Sequence, residues 1–248
     1  MRLLHMDTAT KWRIGTSGWN YKHWKEIFYP PKVVVSKWLD FYANHFDTVE
    51  VNATFYRLPK PETFDNWYEK TPADFLWAVK ASKFITHTKR LKDSKEPLER
   101  LYNSVDRLKE KQGPVLFQLP PSLRFDKELF TSFCENLKTN HQNVLEIRHP
   151  SWIDIQVFEI LKDHNISFCL SDTAGRYPYH EVVTADFLYI RLHGSIKLYA
   201  SEYSEKELQE WALKIKNWGM ETYVYFDNDF QGFAIKNAKR LKEILSIS

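Results

Sequence analysis

Leu188-Tyr189-Ile190-Arg191-Leu192-His193 is a short apolar run that closes on polar side chains, and the pattern recurs along the chain. Before it come Arg13-Ile14-Gly15-Thr16-Ser17, Val49-Glu50-Val51-Asn52, Leu76-Trp77-Ala78-Val79-Lys80 and Val115-Leu116-Phe117-Gln118. Val144-Leu145-Glu146-Ile147-Arg148 and Phe168-Cys169-Leu170-Ser171-Asp172 lie between these and it, and Tyr223-Val224-Tyr225-Phe226-Asp227 follows. Eight such runs, separated by helix-like stretches, predict a (β/α)8 TIM barrel: eight parallel strands with outer helices and an active site at the C-terminal strand ends. The repeated polar ending gathers the ionisable groups on one face.

Alternate residues of a strand share a side. Glu50 pairs in this way with Asn52, Glu146 with Arg148, and Arg191 with His193, while Val51, Ile147 and Leu192 between them are apolar. The apolar set faces the helices and the polar set points into the barrel mouth, joined by Lys80, Gln118, Asp172 and either Asp227 or Asn228. The charges nearly balance, so the group reads either as an internal ion-pair network or as an active site. Its concentration at one end of the strands favours the site.

The chain has 248 residues, a usual length for one barrel, and residues 12–248 read as a single domain behind a short leader, 1–11. A net charge of +3 is too weak to imply nucleic acid by itself. Cys134 and Cys169 stand in apolar settings and read as buried free thiols, which fits a cytoplasmic protein. Neither a signal peptide nor a bilayer-spanning stretch is evident.

Leu98, Leu101, Val105 and Leu108 form a helical stripe after Pro97. Ser204 to Glu207 reads as a capping box ahead of Leu208, Trp211, Ala212 and Ile215. Asp126 caps a stripe of Leu129, Phe130, Phe133 and Leu137, and Phe233, Ala234, Ala238, Leu241 and Leu245 form the last one. Glycine is scarce, seven in all. Gly113 and Gly219 read as helix-ending residues. Gly15, Gly18, Gly194 and Gly232 stand near strand ends, where a missing side chain lets backbone approach a ligand.

The segments Gly15-Thr16-Ser17-Gly18-Trp19-Asn20-Tyr21, Glu50-Val51-Asn52-Ala53-Thr54-Phe55-Tyr56 and Gln118-Leu119-Pro120-Pro121 resemble blocks of the YecE-like proteins, domain-of-unknown-function family seventy-two. Phe75 to Lys80 with Ile85-Thr86-His87, Glu146 to His149 with Ser151-Trp152, Tyr189 to Gly194, and Phe226 to Asp229 with Gly232 and Asn237 continue the likeness, in order, from about Ile14 to about Leu245. The resemblance implies a TIM barrel distantly similar in fold to the xylose-isomerase and endonuclease-four group, with no assigned activity. Three positions depart from it: Glu26 stands where the family often has glycine, Ser195 where a basic residue is expected, and Asp227 where asparagine is frequent.

Three chemistries fit these residues: acid–base catalysis supported by aromatic stacking, anion recognition, and a bound divalent metal. Glu50 and Glu146 can act as paired acid and base, with His193 as proton carrier. Lys80, Arg148 and Arg191 can hold a small anion such as phosphate or a phosphorylated metabolite, helped by the loop beginning at Asn228, while Asn52 and Gln118 orient it. Tyr56 and Trp152, with Trp19, Tyr21 and Tyr199, offer stacking surfaces for sugar rings or bases. A divalent metal on Glu146, Asp172, His193 and Asp227 is the weaker alternative, because Arg148 and Arg191 share the strand faces of candidate ligands. The expectation is a hydrolase or isomerase acting on a small anionic, sugar-like or phosphorylated substrate. The alternatives are a nucleic-acid barrel using the basic stretch Lys80 to Lys95, and a non-catalytic metabolite binder. Gly-Thr-Ser-Gly lacks the nucleophile elbow of a serine hydrolase, and no GxGxxG occurs.

Overall fold

The computed structural model describes residues 12–247; the leader read at 1–11 lies outside them. In chain order the principal elements are β1 (Trp12–Thr16), α1 (Trp38–Ala43), β2 (Thr48–Val51), α2 (Ala53–Tyr56), α3 (Pro61–Lys70), β3 (Leu76–Lys80), α4 (Lys95–Val105), β4 (Gln112–Gln118) and α5 (Lys127–Glu135). Then follow β5 (Asn143–Glu146), α6 (Ile155–Asp163), β6 (Ile166–Phe168), β7 (Leu170–Asp172), β8 (Phe187–Leu192), α7 (Glu205–Trp218), β9 (Glu221–Phe226) and α8 (Phe233–Leu245). It is a mixed α/β fold in which every strand pairing is parallel.

All eight apolar runs form strands, but the sheet differs from the expected single eight-stranded ring. The strands lie in two sheets, one of order β1-β9-β8-β7 and one of order β2-β3-β4-β5-β6. The sixth run is cut at Cys169. Phe168 pairs with Leu145 of β5, and Leu170 pairs with Ile190 of β8. Cys169 donates its N–H to Leu145 O at 2.9 Å, so the chain changes neighbours there and contributes a short strand to each sheet. At the other seam, an isolated parallel bridge joins Ser17, just past β1, to Glu50 in β2.

The helices follow their stripes. The Ser204–Glu207 capping box is complete, and Asp126 accepts the Leu129 N–H at 3.0 Å. Gly219 ends α7 at φ 61, as its position after the stripe predicts. Gly113 does not end a helix; it lies inside β4. The chain turns instead at Lys109, φ 50, and a Cβ at Gly113 would stand 3.1 Å from the Trp77 backbone. The bare Cα there lets two strands approach closely, beside the register shift between β3 and β4. Gly15 serves the same end: a Cβ would lie 2.3 Å from Thr48 O, so protein backbone rather than a ligand occupies that space.

Two cores result. The larger lies between strands and helices. The smaller consists of Ala78, Leu116, Val144, Cys169, Phe187, Tyr189, Tyr223 and Tyr225, drawn from both sheets. Several of these residues stand two positions before a polar one: Ala78 before Lys80, Leu116 before Gln118, Val144 before Glu146, Tyr189 before Arg191, Tyr225 before Asp227. By strand parity the small core and the charged groups share one face, apolar toward the strand starts and ionic toward the strand ends. Among the described residues, no helix is long and apolar enough to cross a membrane.

Candidate functional site at the strand ends

Arg191, on β8, is the hub of the charged layer and is fully buried. Its Nε and Nη2 donate to Glu50 Oε2 and Oε1 at 2.9 and 2.7 Å, a two-edged grip. Its Nη1 donates to Glu146 Oε2 at 2.7 Å, and Nη2 also reaches Asp227 Oδ2 at 3.0 Å. The remaining carboxylate lone pairs are taken by neighbours. Tyr189 and Ser17 hydroxyls donate to Glu50 at 2.6 and 2.7 Å. Gln118 Nε2 lies 2.9 Å from both Glu146 oxygens, and Arg148 Nε lies 3.2 Å from one of them. His193 Nε2 stands 3.3 Å from Arg191 Nη1. A guanidinium only donates, so that contact makes Nε2 the acceptor and puts the ring proton on Nδ1, which faces Asp227 Oδ2 at 3.0 Å.

This clustering sets the acidities. Burial works against the Glu146 charge, but Arg191, then Arg148 and Lys80, outweigh it and hold the carboxyl well below its usual range. Asp227 is likewise held low: Arg191 and His193 overcome its burial. Lys80 goes the other way. Burial, then repulsion from Arg191, lowers its ammonium from 10.5 to about 8.

Beside this layer opens a cavity of about 630 Å³. Trp19, Tyr21, Phe55, Tyr56 and Tyr199 give it aromatic walls, and Asn20, Asn52, Lys80 and Asp227 are among its polar lining. Lys80 ends β3 with only 8% of its surface exposed, and its Nζ lies 4.5 Å from the Phe55 ring centroid. Among the described residues no carboxylate comes within ion-pair distance of that Nζ. Lys83 leans over the Tyr56 ring, and Arg148 lies over the Tyr177 ring, 4.5 Å from its centroid. The basic character of this rim shows at His87, whose pKa falls to about 4 through burial and then the charges of Arg148, Lys80, Lys83 and Arg90.

The structure thus brings together Glu50, Glu146, Arg148, Arg191, His193, Gln118 and Asp227 as one network, and sets Asn52, Tyr56 and Lys80 on the cavity wall. Two proposed ligand contacts are displaced from it. Trp152 is a core residue: its Nε1 donates to Leu123 O at 2.8 Å and its ring packs on Phe125 and Phe130. Asn228 is buried and ties Ser201 O to Asn237 Oδ1, at 2.8 and 2.9 Å, anchoring a loop to α8. The metal set does not assemble. Asp172 turns to the Tyr203 hydroxyl at 2.8 Å, and the Arg191 guanidinium sits among Glu146, His193 and Asp227 where a cation would have to lie. Among the described residues no group of three or more His, Cys, Asp or Glu converges in a metal-holding arrangement.

Sequence reasoning does not single out Tyr189, although it lies two residues before Arg191 on the same strand face. It treats Ser17 only as an unlikely nucleophile, whereas its hydroxyl braces Glu50. Phe55, which floors Lys80, carries no signal separate from any other aromatic residue in that block.

Fold and site together define an α/β protein of parallel strands with a charged, aromatic-walled mouth at the strand ends. The chain belongs to the DUF72 family: the family described as "Protein of unknown function DUF72" matches residues 13–248. UPF0759 protein YunF of Bacillus subtilis is 27% identical over 269 residues, covering 94% of each chain. UPF0759 protein YecE of Escherichia coli K12 is 25% identical over 240 residues, 86% of this chain and 84% of its own. The crystal structure of a DUF72 family protein from Thermotoga maritima superposes with a TM-score of 0.86 at 31% identity, covering 95% of this chain and 99% of that one.

Proposed function

We propose that the two sheets are halves of one closed (β/α)8 barrel, and that its mouth binds and acts on a small anionic organic molecule. The Ser17–Glu50 bridge at one seam, the change of neighbours at Cys169 at the other and the small core shared by both sheets support closure. A cytoplasmic setting fits Cys134 and Cys169, both buried and unbridged.

One observation carries the functional reading: Lys80 is a buried cation on a cavity wall, without a carboxylate of its own among the described residues. A buried charge left unpaired is costly, and an anionic ligand relieves that cost. Arg148 supports it, since only its Nε is committed to Glu146. Among the described residues Asn52 Oδ1 is buried without a hydrogen-bond partner, an acceptor available to a ligand hydroxyl or amide. In this reading Glu50 and Glu146 hold Arg191 in place, and the mouth's proton-carrying pair is Asp227 with His193. Arg191 is committed to three carboxylates and acts on the ligand only through the field of the network.

Inorganic phosphate is the first probe. We expect millimolar phosphate to raise the melting temperature, with the effect lost in Lys80→Met and reduced in Arg148→Met. Equal stabilisation of wild type and both variants would remove the reading. Oligonucleotide binding with a steep salt dependence would replace it with the nucleic-acid alternative.

A further inference from the structure

We propose that Lys80 captures carbonyls: its ε-amine adds to an aldehyde or ketone group of the anionic ligand and forms an imine. This rests on the anion-binding reading and narrows the substrate class to carbonyl compounds bearing a phosphate or carboxylate.

Placement argues for it first. An amine that forms an imine must be neutral part of the time, reachable by a small molecule, and fixed. Lys80 ends a central strand, lies against the Phe55 ring and lines the cavity. A structural lysine in such a place would be paired. Lys111 shows the contrast: equally buried, it donates to the carbonyls of Tyr68 and Thr71. Among the described residues Lys80 Nζ makes no hydrogen bond to protein, and Arg191, held by its carboxylates, repels its ammonium form. Its acidity near 8 leaves a substantial neutral fraction at neutral pH, and neutral amine is the nucleophile.

The step balances without any further reactant. The amine lone pair bonds to the carbonyl carbon, and the carbonyl oxygen takes up a proton from nitrogen to give a carbinolamine. The carbinolamine then loses its hydroxyl and the second N–H proton as water, leaving a carbon–nitrogen double bond. Asp227 and Tyr199 line the same cavity and are candidates to carry those protons.

The test is reductive alkylation of the intact protein at pH 7.5 with cyanoborohydride and, in parallel, formaldehyde, acetaldehyde or glyoxylate, read peptide by peptide by mass spectrometry. Lys206, whose side chain is 85% exposed, is the internal reference. We expect formaldehyde to modify Lys80 about tenfold faster than Lys206 or more, as the larger neutral fraction requires. We expect glyoxylate to favour Lys80 over Lys206 more strongly than acetaldehyde does, and Arg148→Met to lose that preference. Modification of Lys80 no faster than Lys206 overturns the imine assignment, and the anion reading survives that result if phosphate still raises the melting temperature. Rapid modification of Lys80 with no preference for glyoxylate upholds the amine chemistry and overturns the anionic substrate class.

Discussion

Arg191 and Glu50 meet edge to edge: two guanidinium nitrogens face two carboxylate oxygens at 2.9 and 2.7 Å, with neither side chain exposed to water. The pair spans the chain from β2 to β8, elements that belong to different sheets. Such a contact is bistable in its energetics. Intact, it roughly offsets the desolvation of its charges; with one partner removed, it leaves a buried charge uncompensated. Arg191→Met strands Glu50, Glu146 and Asp227 together, and Glu50→Gln strands part of the Arg191 charge. We expect each to cost about 3–5 kcal/mol in urea unfolding, with Arg191→Met the worse. A loss below about 1 kcal/mol in both would mean that the network does not hold the sheets together.

The acid limb of the stability curve follows from the same charges. Glu146 and Asp227 both have folded-state pKa values below their ordinary ones. The unfolded chain therefore takes up protons at these sites first as pH falls. The stability they contribute is present above the ordinary carboxylate range and is lost as pH drops through the depressed folded values. Glu146→Gln removes one such term, so its stability should fall less steeply with acid than that of wild type. Parallel acid limbs in the two proteins would contradict this account.

Much of this was readable in advance, for identifiable reasons. Strand runs with polar ends mark their own positions, and Ser204 and Asp126 announce their helices because a cap is a local interaction. Period-two parity suffices to bring Glu50, Glu146, Arg148, Arg191 and His193 to one mouth. What parity cannot supply is partner choice across the sheets. Whether Glu146 faces a ligand or Arg191 depends on the reach of a guanidinium from β8, a contact 45 residues away in sequence. Trp152 illustrates the same limit: an aromatic residue just past a strand reads alike whether it stacks on a sugar or, as here, seals against Phe125 and Phe130. Gly113 reads as a helix end from sequence because a glycine after a helical stripe suits a turn as well as the tight strand crossing it makes inside β4.

Glu26 offers a stabilising substitution. Its φ is 70, in the left-handed region that favours residues without a Cβ. The left-handed backbone costs an ordinary residue about 1–2 kcal/mol. Glycine removes that strain but gains freedom in the unfolded chain, which offsets roughly half of it. Glu26→Gly should therefore stabilise the fold by about 0.5–1 kcal/mol, visible as a higher midpoint in urea. The side chain is exposed, so little packing is lost. A lower midpoint would show that the Glu26 side chain contributes more than its backbone costs.

Lys80 moves stability in the same direction with pH as the carboxylates, but on the alkaline side. Its ammonium is lowered from 10.5 to about 8 in the folded protein. Between those two values the unfolded chain keeps a proton on Lys80 that the folded chain has released. Stability relative to a Lys80→Met variant should therefore rise with pH from about 8 to 10.5, by about 3 kcal/mol in full, and be flat below that window. Comparing the two proteins cancels the other lysines and tyrosines that titrate over the same range. Phosphate sharpens the test: an anion beside the ammonium favours its charged form, so the rise should shift to higher pH and shrink. If the difference between wild type and variant is independent of pH across the window, Lys80 is an ordinary solvated lysine, and both the anion site and its amine chemistry lose their physical basis.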